Sequence, residues 1–442
     1  MPRRTLGSLA LVVAIAACSS ASPTPPPTPV PTLPPTSPST AAAPSPSAAA
    51  SLASPALPST APSLHPSASA ALAWRRIGSA RGGEVVSASA EYVALGGPKD
   101  VESSTDGVAW TAHDLPFHVT KDPHGIALGA GPSAIATDGH RYVAVGGYFH
   151  GPCTPSDGLT GGGPECPSYP ISWTSDDGST WRSSYPWRGP GAPKGFQQGS
   201  DFSNVWAVPT GGFDAAEEYP AGEDDIAGRI YHSADGLVWS PLPASPPAEL
   251  KGYQAAENWH LGMAGPSGSR LVASYWYKSG GDSLARLLTS SPDGSSWTLV
   301  SSFPDGTGNV DTGIPPTSAG GSWFIGGSDG HSIPTVWTST DLATWTTHPL
   351  PIPAPATTGA VSEIAPTSEG FVAVGSVSNA DGTAAHASWL NTDGADWVAL
   401  PPPSKTPTDG PDVIADGPVG TIGFGVYNGS EVPPGVWQLH AP

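Results

Sequence analysis

Ser104-Thr105-Asp106-Gly107-Val108-Ala109-Trp110 is the first of six copies of an S-x-D-G-x-x-W pattern. The others occupy residues 175–181, 233–239, 291–297, 339–345 and 391–397. Their acids are Asp106, Asp177, Asp235, Asp293, Asp341 and Asp393, and their tryptophans are Trp110, Trp181, Trp239, Trp297, Trp345 and Trp397. Leu342 replaces the glycine in one copy, and Asn391 replaces the serine in another. Asp and Ser side chains bond to backbone a few residues on, and Gly supplies the positive φ of a tight turn between two strands. The Trp then opens the next strand, burying its ring against the hairpin with its N–H directed to a carbonyl. The alternative, a series of Ca²⁺ loops, needs more oxygen ligands than this motif offers. The copies follow one another at intervals of roughly 50–70 residues, the length of a four-stranded unit with variable loops.

The motif resembles the Asp-box, or BNR-type repeat, of sialidases, sortilin-type receptors and photosystem II assembly factors. In those families the box caps the turn between the third and fourth strands of a propeller blade, away from the ligand face. The resemblance runs from about Trp74 to the C-terminus and implies an all-β propeller, while saying little about activity.

Second strands look alike from end to end: residues 92–97, 142–147, 212–216, 271–275, 323–327, 371–375 and 422–426. That makes seven, one more than the boxes. Residues 435–439 read as a third strand of the last unit, and Ala73-Trp74-Arg75-Arg76-Ile77 as a fourth strand without a blade of its own. The expectation is a seven-bladed ring of four-stranded antiparallel blades closed by the N-terminal strand, which leaves no long unpaired edge. A six-bladed ring with a loose C-terminal hairpin is the alternative.

Residues 1–17 carry a basic start, Arg3-Arg4, and an apolar run too short to span a bilayer as a helix. Ile15-Ala16-Ala17-Cys18 resembles a bacterial lipobox, which implies cleavage before Cys18 and lipid on its sulfur. An ordinary secretory signal is the other reading, and either exports the chain. Residues 18–72 are almost wholly Ser, Pro, Ala and Thr after the cysteine, too poor in apolar surface to fold and stiffened by proline. Residues 73–442 form the propeller domain. The localisation expected is extracytoplasmic, at the bacterial cell membrane through the lipid alone.

Formal net charge is −20, which argues against nucleic acid and anionic lipid as partners. Cys153 and Cys166 remain after Cys18; a disulfide closing their short loop fits an oxidising compartment and would contribute about 3 kcal/mol. Two thiols do not complete a metal shell. No metal and no cofactor is expected.

The face away from the boxes should hold any ligand site, and its loops are longest early in the chain. Among them, Tyr148, Tyr185, Trp187, Tyr219 and Trp259, with Phe149, Phe196 and Tyr253, are candidates for stacking on sugars or anchoring a peptide. The acidic run Asp214, Glu217, Glu218, Glu223, Asp224 and Asp225 suits a hard cation or a basic partner if it is more than a solvated loop. His113, His118 and His124 read as ordinary residues of an inter-blade loop. Sialidase chemistry requires three arginines converging on a carboxylate, and no arginine lies beyond Arg286. No catalytic residue is assigned. The function expected is a binding or scaffold module for an exported protein or an envelope polysaccharide; the alternative is a glycoside hydrolase, for which Glu218 and Asp224 share a loop region.

Overall fold

The computed structural model describes residues 72–441 apart from 80–83, 89, 97–99, 117–129, 150–167, 185–200, 221–225, 243–253, 256–260, 265–268, 279–281, 301–316, 393–395, 405, 407–408 and 426–434. Those residues form seven antiparallel blades and no helix, so none of them supplies a helix able to cross a membrane. Blade 1 is Val85–Ala88, Glu91–Leu95, Asp100–Ser104 and Thr111–Asp114; blade 2 is Ala130–Thr137, Tyr142–Phe149, Ser168–Ser175 and Arg182–Ser183. Blade 3 is Asp201–Ala207, Phe213–Pro220, Ile226–Ser233 and Ser240–Pro241. In blade 4 two short strands, Gln254–Ala255 and Leu261–Ala264, share the first position beside Arg270–Lys278, Asp282–Ser290 and Trp297–Leu299. Blade 5 is Thr317–Ala319, Ser322–Ser328, Pro334–Ser339 and Thr346–Pro349; blade 6 is Thr358–Thr367, Gly370–Ser378, Ala384–Asn391 and Val398–Ala399.

Blade 7 takes three strands from the end of the chain, Val413–Gly417, Gly420–Phe424 and Gly435–His440, and its fourth, Ala73–Ser79, from the beginning. Trp74 lies opposite Leu439 and Arg76 opposite Trp437, with one register shift before Gly78. The first strands of the blades touch in cyclic order, so the seven-bladed expectation holds and the six-bladed alternative falls. At the seam between blades 7 and 1, the Tyr92 hydroxyl donates to the Gly420 carbonyl at 2.6 Å and accepts the Val419 N–H at 3.3 Å.

Each box sits between the third and fourth strands. In the first, Ser104 Oγ accepts the Gly107 N–H at 2.8 Å, while Asp106 Oδ1 accepts the N–H groups of Val108 and Ala109, both at 2.8 Å. Gly107 has φ 70°. Leu342 holds the same left-handed conformation at φ 60°, and its N–H still bonds Ser339 Oγ at 2.8 Å. The turn therefore imposes the conformation even without glycine, and Leu342, like Trp345, packs against the core around Leu271, Trp323 and Trp337. The N–H groups of Ala109, Thr180 and Thr344 hold the Asp106, Asp177 and Asp341 carboxyls below the usual range. Asp393 lies outside the described residues.

The box tryptophans do more than cover their own hairpins. Trp110 and Trp181 donate to carbonyls of their own turns, Gly107 and Gly178. Trp239, 1% exposed, instead crosses to the preceding blade, donating to Ser172 Oγ at 2.9 Å and packing on Phe202. Ser172 returns a bond to the Gly236 carbonyl at 2.7 Å. Trp74 makes the same crossing from blade 7 to Ser388 of blade 6 at 3.0 Å. Third-strand tryptophans also reach back: Trp173 and Trp389 donate to Pro116 and Pro351, carbonyls on the connections entering their blades.

Two sequence expectations change here. Asp214 does not belong to an exposed acidic loop; it is fully buried and paired with Arg270 of blade 4, itself 3% exposed, and with His232 at 2.8 Å. His113 lies in the fourth strand of blade 1 rather than in the inter-blade loop, its Nε2 2.9 Å from Ser103 Oγ. His118 and His124 lie outside the described residues.

Trp239→Ala removes an indole that fills the space between two blades, so it should lower unfolding free energy by about 3–5 kcal/mol in denaturant titration; a loss below about 1 kcal/mol contradicts the inter-blade role.

Candidate functional site

Because the boxes and the turns joining first to second strands share one end of each blade, the other end carries the second-to-third turns and the connections between blades. The first strands also present a free edge to the axial channel, whose backbone groups need partners. Two glutamates supply them. Glu84 Oε2 accepts the Ile135 N–H of blade 2 at 2.9 Å, and Glu363 Oε1 accepts the Ile414 N–H of blade 7 at 3.3 Å.

These are one arrangement used twice. Glu363 lies opposite Val374, and the Glu84 carbonyl accepts the Leu95 N–H at 3.0 Å; Val374 and Leu95 end the matching runs F-V-A-V and Y-V-A-L. Ile135 and Ile414 likewise face the matching positions Ala144 and Gly423. A carboxyl thus ties blade 1 to blade 2 and blade 6 to blade 7. Val85, Ile135 and Ile414, which adjoin these groups, line an axial cavity of about 360 Å³ that extends along the first strands to Ser87, Thr137 and Asp416.

Both carboxyls are half-buried by exposed area yet enclosed by protein around the channel rim. Burial pushes Glu84 up to about 7 against the Ile135 N–H. Burial pushes Glu363 up to about 8, with the charges of Glu84 and Asp412 adding to it and the Ile414 N–H opposing. Asp412 lies 3.2 Å from His386 Nδ1, and Arg76 lies 3.4 Å from Asp409. His386 and Asp409 also line a cavity of about 270 Å³ over blade 6, walled by Pro353, Pro355, Pro402 and Pro403. Blades 6, 7 and 1 therefore bring four titratable groups and an apolar recess to the face free of boxes.

The described candidates read from sequence, Tyr148, Glu218 and Tyr219, lie in blades 2 and 3 instead. Tyr148 lies in the second strand of blade 2, 3% exposed and packed with Ile171 and Trp173, so it is a core residue rather than a loop aromatic. Glu218 and Tyr219 lie in the second strand of blade 3, opposite Gly228 and Ala227. Cys18, Cys153, Cys166, Tyr185, Trp187, Asp224 and Trp259 lie outside the described residues. Glu84 and Glu363 were overlooked, although each stands eight residues before the aromatic that opens its Y-V-A-L or F-V-A-V run.

Among the described residues no group of three or more His, Cys, Asp or Glu is placed to hold a metal. Five described arginines are dispersed. Arg75 and Arg76 bond Gln438 and Asp409, Arg141 and Arg182 flank Asp176 within the second box, and Arg270 is buried with Asp214. They form no carboxylate-binding triad.

No protein-family model matches the chain, and no curated protein matches it significantly. Solved structures do. A sialidase of Trypanosoma rangeli is 11% identical at a TM-score of 0.40, covering 82% of this chain and 54% of its own, so this chain spans about half the length of that enzyme. An ulvan lyase of polysaccharide lyase family 25 is 12% identical at a TM-score of 0.46, covering 84% of this chain and 94% of its own. A β-1,3-galactosidase of glycoside hydrolase family 43 is 11% identical at a TM-score of 0.33, covering 64% of this chain and 61% of its own. These likenesses concern chain path alone.

The raised carboxyls fix the sign of a pH effect. The unfolded glutamate ionises near its ordinary value while the folded one keeps its proton, so stability falls as pH rises from about 4.5 to about 8 and then levels. The unfolding midpoint of Glu363→Gln should equal the parent's below that window and exceed it increasingly across it; parallel curves contradict the assignment.

Proposed function

We propose that the chain is an exported, lipid-anchored binding module that holds an envelope polysaccharide on the face opposite its Asp-boxes, at blades 6, 7 and 1. The observation that carries this is the set Glu84, Glu363, Asp412 and His386 across blades 6, 7 and 1, of which His386 lines the proline-walled cavity. A carboxyl that keeps its proton near neutrality both donates and accepts, as sugar hydroxyls require, and apolar walls suit the C–H face of a ring. The cavity is at the small end of the range for ligand pockets, fitting one sugar unit of a longer chain. Strong negative charge disfavours polyanions at low salt, so a neutral or amine-bearing glycan is the preferred ligand.

One observation favours hydrolysis as a second reading: Glu363 and Glu84 are both raised carboxyls, and Glu363 feels the charge of Glu84, so the two stand near enough to form the carboxyl pair that acid–base chemistry needs.

Titration calorimetry against a panel of neutral and acidic envelope glycans tests the binding reading. The parent should bind a neutral glycan, and His386→Ala with Glu363→Ala should weaken it at least about tenfold, roughly 1.4 kcal/mol. Binding untouched by that double change, or recovery of a protein partner and no glycan, overturns it. New reducing ends during the same incubation identify the hydrolase. The anchor has its own test: Cys18→Ala should release the chain from membranes into the soluble fraction, and retention on membranes removes the lipid from the account.

A further inference from the structure

The paired carboxyl caps have a consequence that does not depend on any ligand. Glu84 and Glu363 stand at matching positions on either side of blade 7, and each meets the edge N–H of the next blade's first strand. Among the described residues, Ala134, Asn204 and Val413 hold the matching place in blades 2, 3 and 7, so those three blades do not repeat it. The two caps, at junctions 1–2 and 6–7, bracket the blade that closes the ring.

We infer that Glu84 and Glu363 form a proton-operated latch at the channel rim, closed while both carry a proton and loosened when both ionise. In the closed state each carboxyl accepts one N–H through an oxygen and keeps a hydroxyl that can bond into the channel. Loss of both protons places two like charges across blade 7, with Asp412 as a third. The described charged groups nearby do not offset them. His386 is already engaged by Asp412, Arg76 is engaged by Asp409, and Asp416 at the other end of the blade 7 first strand accepts the Ser368 N–H and the Thr421 hydroxyl. The cost of an ionised carboxylate shut away from water, to which repulsion adds at Glu363, outweighs the stronger hold of the amide on the charged form; it is relieved when the carboxylates turn toward water, which uncovers the amides of Ile135 and Ile414.

The amides make the latch measurable. Native-state hydrogen exchange of the full chain, followed at Ile135 and Ile414 from pH 6 to pH 9 and corrected for intrinsic exchange, reads the caps directly. The expected result in the parent is a fall in protection of about tenfold or more across that range at both amides, with little change at Ile364 in the strand that bears Glu363. Glu84→Gln with Glu363→Gln keeps an acceptor at each place and removes the charge, so protection should stay level in that variant. Protection independent of pH in the parent overturns the latch. So does a fall of equal size in the double variant, or an equal fall at Ile364, since each assigns the change to general loosening. Should the double variant fail to fold, the single Glu363→Gln variant isolates the 6–7 junction, where Ile414 alone should lose its response.

Discussion

Everything in this molecule depends on the pairing of Ala73–Ser79 with Gly435–His440. A ring of blades is stable only when its last pairing forms, and here that pairing joins the first and last strands of the propeller. The strand pairing is reinforced by Trp74, whose indole reaches Ser388 in blade 6, and by Tyr92, which ties blade 1 to the turn between Gly417 and Gly420. Residues near the N-terminus thereby share a core with Leu390, Leu400 and Leu439. Once closed, the ring has no exposed first-to-last edge, and inter-blade tryptophans such as Trp239 can fill the wedges between sheets.

The box turns use the same logic locally. Serine and aspartate satisfy the turn amides, the following residue is held left-handed, and the tryptophan leaves toward the neighbouring sheet. One end of every blade is thus committed to structure, and chemistry is left to the other. The described groups that remain there, Glu84, Glu363, Asp412 and His386, come from three consecutive blades and meet only because the ring closes.

This explains what was legible in the sequence and what was not. The boxes and the repeated second strands carry their own spacing, so blade number, the N-terminal fourth strand and the box-bearing turns could be read in advance. Leu342 keeps the turn although it replaces the glycine. The site was harder, because its members are spread from residue 84 to residue 412 and are juxtaposed by closure alone. Loop length and acidity pointed instead to blades 2 to 4, where Tyr148 proves to be core and Asp214 an inter-blade ion pair. The shared offset of Glu84 and Glu363 from their second strands was a usable signal. It becomes meaningful once first strands are known to leave amides on the channel side.

The measurement that tests closure most directly is a cross-link between Arg75 and Gln438, which face each other across the seam with their side chains bonded at 3.1 Å. With cysteine at both positions, mild oxidation should link the peptide bearing residue 75 to that bearing residue 438 within one chain, at a yield independent of protein concentration. Links only between chains, or none in folded protein, would contradict a seven-bladed ring closed by its N-terminal strand.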